Sequence, residues 1–144
     1  MKRILPAIVS VAAILVASNA LAQDDLVKKG EVVYKKCAAC HAVGEGAKNR
    51  VGPEQNNIFG RVAGTEPSFN YSPAMKAAGE AGLVWTEQSL SEYLKAPRDY
   101  VPKTKMIFPG LKKQEDIDAV IAYLKTFDTD GMPEPGASTY TPPS

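Results

Sequence analysis

Cys37 and Cys40 are the only cysteines of this 144-residue chain and His41 is its only histidine, all three within the run Cys37-Ala38-Ala39-Cys40-His41. Two thiols at this spacing can each add to one vinyl group of a haem, while the adjacent imidazole reaches the iron from the same face. C-x-x-C-H is the arrangement for covalent attachment of a c-type haem. Other chemistries fit less well. A structural zinc site needs four protein ligands, and the chain offers only three Cys and His residues. A thioredoxin-like redox pair expects a preceding strand and a βαβ context, whereas a helical pattern precedes this pair. A disulfide within a haem-free module is a third reading, since two free thiols in an exported protein tend to close.

A single histidine excludes bis-histidine iron, and it excludes every Ser-His or Cys-His catalytic scheme not built on His41 itself. The other side of an iron needs a different ligand. Met75, Met106 and Met132 are the candidates, and a thioether opposite His is the pairing that raises the reduction potential of electron-transfer centres. Met132 falls in a Pro-rich tail, and Met75 falls in a short helix where a core role is the default for a flexible apolar side chain. Met106 lies in the non-periodic run Pro102-Lys103-Thr104-Lys105-Met106-Ile107-Phe108, where it has no helical reason to be buried. A loop methionine taken alone is packing more often than ligand, so periodicity leaves its role open.

The elements that must position these residues read as helices joined by long loops. Residues 1–22 form a secretory signal: Lys2 and Arg3, the apolar run Ile4 to Val16, and an Ala20-x-Ala22 ending that predicts cleavage before Gln23. The apolar run is too short for a bilayer, which takes about 20 residues, and nothing later is long enough, so no membrane span is expected. The mature chain is expected to be soluble. Loss of Lys2 and Arg3 takes 17 basic residues to 15 against 16 acidic ones, a formal −1, with no nucleic-acid footprint.

Leu26, Val27, Gly30, Val33, Tyr34 and Cys37 follow helical spacing behind Asp24 and Asp25, which predicts a first helix leading straight into the cysteines. Residues 42–70 are Gly-, Asn- and Pro-rich and predict a long loop wrapped around something. Ser72 as cap, Pro73 at the first helical position and Gly79 past the end predict a short helix from Ser72 to Ala78. A helix from Thr86 must stop near Ala96 because of Pro97, with an irregular stretch from Arg98 to Gly110. Ile117, Val120, Ile121 and Leu124 predict the last helix, with Glu115 and Asp116 in its first turn. The expectation is one all-α domain over 23–130, without strands or repeats, followed by a flexible Pro-rich tail over 131–144.

From about Leu26 to Phe127 the chain resembles the class I cytochrome c family, most of all its soluble bacterial members termed c-two, relatives of mitochondrial cytochrome c. The residues that carry the likeness are Cys37-Ala38-Ala39-Cys40-His41, Gly52-Pro53, Phe59-Gly60-Arg61, Trp85, Glu92-Tyr93-Leu94, Pro97, Thr104-Lys105-Met106-Ile107-Phe108 and Ile121-Ala122-Tyr123-Leu124-Lys125, in family order. The resemblance implies one covalent haem c, with thioethers from Cys37 and Cys40 and axial iron ligands His41 and Met106. It implies that the Pro53 carbonyl accepts the other imidazole N–H, a contact that fixes ring orientation. Tyr71 and Trp85 would bond a propionate, Arg61 and Thr104 would lie near the propionates, and Tyr93 would approach the Met106 sulfur. Gly30 and Tyr34 would meet Tyr123 and Leu124 where the first and last helices cross. Met75 departs from the mitochondrial pattern, in which an Asn commonly orders a buried water. The segment from Ala77 to Leu83 is also longer, by about three residues, a loop-level change.

The same resemblance implies a monomeric periplasmic electron carrier, not an enzyme, working between a cytochrome bc complex and a photosynthetic reaction centre or cytochrome oxidase. Lys35, Lys36, Lys103, Lys105, Lys112 and Lys113 cluster near the segments expected to rim the haem edge, where they would steer it toward an acidic partner. A haem enzyme or gas sensor, with Met106 off the iron, is the alternative of another class.

Overall fold

The computed structural model describes residues 10–128 and 138–144, with the backbone alone over 10–18. Among the described residues five helices follow in order: α1 (Ser10–Tyr34), α2 (Pro73–Glu80), α3 (Glu87–Lys95), α4 (Pro97–Tyr100) and α5 (Gln114–Lys125). Among the described residues there is no strand, only an isolated bridge between Val62 and Val84. This is the expected all-α architecture.

α1 starts earlier than the expected helix near Asp24, because an alanine- and leucine-rich stretch with no Gly or Pro runs from Ser10 to Asp24. Asn19 to Asp25 are all exposed, so this stretch packs on nothing. Burial begins one turn later, with Gly30, Val33 and Tyr34, and that end of α1 crosses α5. A Cβ built on Gly30 would lie 2.7 Å from the Ala119 carbonyl carbon and from Tyr123 Cβ, so only glycine lets the two backbones approach this closely. The Tyr34 and Tyr123 rings meet at 5.3 Å beside it, and Lys29 bridges to Glu115 and Asp116 at 3.4 and 3.3 Å. Ile117, Val120, Ile121 and Leu124 of α5 are all buried, which is the stripe read from the sequence.

α2 has the expected cap: Ser72 Oγ accepts from the Met75 amide, and Pro73 occupies the first turn. It runs past its expected end at Ala78 because Gly79 is not the terminator. Gly79 is buried against Ala63 and Val62, where a Cβ would collide with the Ala63 carbonyl. The chain turns instead at Gly82, whose φ of +98° is a left-handed value that glycine adopts without strain. α3 carries a reciprocal cap between Thr86 and Ser89 and ends at Ala96 before Pro97. Pro97 then starts the one-turn α4, within a stretch expected to be irregular. Met75 is core, 7% exposed.

The tail also differs from expectation where it is described. Residues 131–137, including Met132, lie outside the described residues, whereas Ser138 to Tyr140 are held on the body by hydrogen bonds to Gly82, Val84 and Tyr100. Tyr140 packs on the core as well, so low hydrophobicity did not prevent docking of one aromatic anchor.

Gly30→Ala forces the two crossing backbones apart, an overpacking cost of about 1–3 kcal/mol. Thermal or denaturant unfolding should register that loss, with helix content preserved.

A candidate haem-binding site

The cysteine motif sits where α1 unwinds. After Tyr34 the amides of Cys37 and Ala38 bond back to the Tyr34 carbonyl, and those of Cys40 and His41 bond to the Cys37 carbonyl. Two successive turns thus display both thiols and the imidazole from one short segment. The thiols are not joined to each other. Burial pushes the Cys37 thiol up to about 11, which is the opposite of the depressed value that makes a redox-active C-x-x-C reactive. This environment suits a neutral thioether.

His41 is fixed from two sides. Its Nδ1–H donates to the Pro53 carbonyl at 2.7 Å. A carbonyl can only accept, so Nδ1 carries the proton and the Nε2 lone pair is left for a metal. Burial lowers the imidazole pKa, opposed by that hydrogen bond, so the neutral ligating form is favoured. Gly52 lies flat against the ring: a Cβ there would come within 2.7 Å of both ring nitrogens. The amide of Gly52 bonds the Cys40 carbonyl at 2.8 Å, and Arg50 donates to the Ala38 carbonyl at 2.8 Å, tying this strap to the motif.

Met106 is presented by the loop after α4. Thr104 N–H closes a turn on the Val101 carbonyl at 3.1 Å. Lys103 takes a left-handed φ of 64°, a conformation that costs a non-glycine residue about 1–2 kcal/mol and so needs outside support. Some of that support comes from Tyr93, whose hydroxyl donates to Met106 Sδ at 3.3 Å and sits 3.4 Å from Thr104 Oγ1. A thioether sulfur has two lone pairs, so one remains after this bond. Tyr93 is itself buried against Trp85, ring centroids 5.0 Å apart.

Arg61 lies apart from these residues at the centre of a polar cluster. It pairs with Glu54 at 3.3 Å and with Glu66 at 3.4 Å, and also donates to the Glu54 and Asn56 carbonyls. All three side chains are only 14–17% exposed. Burial raises the Glu66 carboxyl above its ordinary range, with Arg61 opposing. Tyr71 accepts from the Glu66 amide at 3.2 Å, which leaves its hydroxyl hydrogen as a donor for another acceptor. The sequence reading named Arg61 and Tyr71 but neither acid. Glu54 follows Pro53 directly and Glu66 follows Gly64-Thr65, and neither spacing signals a shared arginine.

The donor set fits a haem. Two half-buried cysteines, an imidazole with one available nitrogen, and a thioether with one available lone pair are the groups that hold iron porphyrin. Among the described residues, no three His, Cys, Asp or Glu side chains gather to hold a bare metal ion.

The cytochrome c family model matches residues 27–128. Cytochrome c2 of Afifella marina is 78% identical over 120 residues, covering 83% of this chain and 97% of that protein. Cytochrome c2 of Agrobacterium tumefaciens (strain II Chrys) is 56% identical over 98 residues, 68% of this chain and 88% of that one. The solved structure of cytochrome c2 from Rhodospirillum centenum superposes with a TM-score of 0.66 at 45% identity, covering 69% of this chain and 96% of its own.

Arg61→Gln leaves two buried carboxylates without their shared cation, a change expected to cost about 3–5 kcal/mol at neutral pH. Protonation of Glu66, which its burial already favours, relieves that repulsion. The stability gap to the parent, measured by denaturant unfolding, should therefore shrink as pH falls into the carboxyl range.

Proposed function

The chain belongs to the cytochrome c family, in the class I group of bacterial cytochromes c2, and from that premise we propose that it carries single electrons rather than catalysing a reaction. Its cofactor is a covalently bound haem c, which supplies a one-electron iron couple. Cys37 and Cys40 would form the thioether attachments, and His41 and Met106 would ligate the iron. Pro53, Arg61, Tyr71, Trp85, Tyr93 and Thr104 form the haem environment. The observation that carries this reading is the His41 Nδ1–Pro53 bond, which presents one imidazole nitrogen beside both thiols.

With His41 and Met106 both engaged on the iron, no position would be left for a substrate, which favours electron transfer over catalysis. A thioether ligand and apolar burial disfavour the ferric charge, so the potential is clearly positive. Tyr93 fixes the sulfur, and Pro53 fixes the imidazole. Each side chain is thus held by a partner outside its own loop or turn, so little would have to move when the haem gains or loses an electron.

The chain works as a soluble monomer in the periplasm, directed there by residues 1–22, which are then cleaved. The exposure of Asn19 to Asp25 supports removal, since the body makes no use of that stretch. No helix among the described residues is long and apolar enough to cross a membrane. A cytochrome bc complex reduces the carrier, and a photosynthetic reaction centre or cytochrome oxidase oxidises it. The docking face is the lysine-bearing one. Lys35, Lys36, Lys103, Lys105, Lys112 and Lys113 are all exposed, and none pairs with a carboxylate among the described residues. Val51 and Ile107, 78% and 85% exposed, adjoin Gly52 and Met106 in the chain and offer apolar contact surface beside the two ligand loops.

Purified holoprotein should keep its colour through acidified-acetone extraction and show a sulfur-to-iron charge-transfer band. Met106→Ala should abolish the band, lower the potential and let the reduced protein bind carbon monoxide. A band that survives this change would assign the ligand elsewhere. Lys103→Glu with Lys105→Glu should slow electron transfer to membrane complexes at low ionic strength and flatten its salt dependence. Unchanged rates would move the docking face.

A further inference from the structure

Residues 138–140 return to the body at two places. Thr139 N–H donates to the Gly82 carbonyl at 3.1 Å, and Ser138 Oγ reaches the same carbonyl and the Val84 amide, each at 3.4 Å. Gly82 leaves room for this contact, since a Cβ there would lie 3.4 Å from Thr139 Cβ and would overlap its hydroxyl. The second place is α4. Tyr140 O–H donates to the Tyr100 carbonyl at 2.9 Å, and the two rings meet at 5.4 Å. Tyr100 is the last residue of that one-turn helix, where backbone carbonyls lack partners from the helix itself.

Tyr100 is also the start of the segment that presents Met106. Its ring packs edge-on against Tyr93 at 6.2 Å, and Tyr93 O–H holds Met106 Sδ. Tyr140, Tyr100, Tyr93 and Met106 therefore form an unbroken series of contacts from the C-terminal segment to the sulfur. Val101, beside Tyr100, is fully buried and accepts the Thr104 amide that closes the strained turn at Lys103. A loop held in a left-handed turn without a glycine stays in place only while its anchors do.

We propose that residues 138–140 act as a clasp on the methionine side of the site, with Tyr140 a positioning residue that holds the 101–106 loop through Tyr100 and Tyr93. This rests on the reading of Met106 as an iron ligand. The clasp keeps the sulfur in place and external ligands out, and it acts on this loop rather than on the stability of the whole fold. Local opening of the loop, not global unfolding, is the event it suppresses.

The test uses ferric holoprotein of the full chain, the variant Tyr140→Phe, and a chain ending at residue 137. Imidazole is titrated against the charge-transfer band, and amide hydrogen exchange is followed at Val101, Thr104 and Met106, with Ile121 of α5 as reference. Truncation should raise imidazole affinity and speed exchange in the loop by roughly tenfold, the yield of one or two hydrogen bonds, and leave Ile121 unchanged. Tyr140→Phe keeps the ring contact and should give a smaller change in the same direction. Equal exchange in the loop with and without the tail overturns the clasp, and so does an equal acceleration at Ile121, which would make the tail a general stabiliser. If the parent protein lacks the charge-transfer band, the ligand assignment of Met106 fails, and the exchange comparison decides the clasp alone.

Discussion

One hydrogen bond, from His41 Nδ1 to the Pro53 carbonyl, sets the terms for the rest of the molecule. It selects the tautomer, orients the ring and leaves a single nitrogen to coordinate. For it to form, the strap at residues 50–53 must cross directly over the imidazole, and that crossing requires a residue without a side chain at Gly52. The strap is tied in turn to the carbonyls of Ala38 and Cys40. The motif and its covering loop are therefore one unit, and the remaining helices hold that unit against the segment bearing Met106.

The methionine side is built differently. No rigid helix presents Met106, and the loop includes a lysine in a left-handed conformation. Its order comes from neighbours: Tyr93 from α3, Thr104 within the turn, and Tyr100 at the end of α4, which meets the C-terminal segment. Such an arrangement concentrates mobility on one side of the site. The histidine side is fixed locally, by the turns of the motif and the strap over it, whereas the methionine side depends on contacts distant in sequence.

The sequence made some of this legible and hid the rest for physical reasons. The stripe Ile117, Val120, Ile121 and Leu124 and the cap at Ser72 are local patterns, and each corresponds to the element it predicted. Gly79 misled because a glycine after a helical run has two explanations, a left-handed terminator or a close contact, and here the contact with Ala63 prevailed while Gly82 made the turn. The Glu54–Arg61–Glu66 cluster was illegible because its members meet only through the fold. Likewise a Pro-rich composition says that a tail cannot form its own core, but not whether a single tyrosine such as Tyr140 finds a site on another. Proximity of Tyr93 to the Met106 sulfur came from family likeness, and the 3.3 Å contact agrees with it.

The crossing of α1 and α5 has a kinetic side. Lys29 and Glu115, which meet across it, are 86 positions apart, so the interface forms only by closing more than half of the chain into a loop. Closing so long a loop is slow, although its entropic cost grows only gently with length, by about 0.6 kcal/mol for each doubling. Until the final helix has been synthesised and has found its partner, the segment carrying the two thiols can be covered by its strap but not backed by α5. The two sulfurs therefore stay more accessible early in folding than late, and tertiary structure closes behind them only when the two ends of the domain meet.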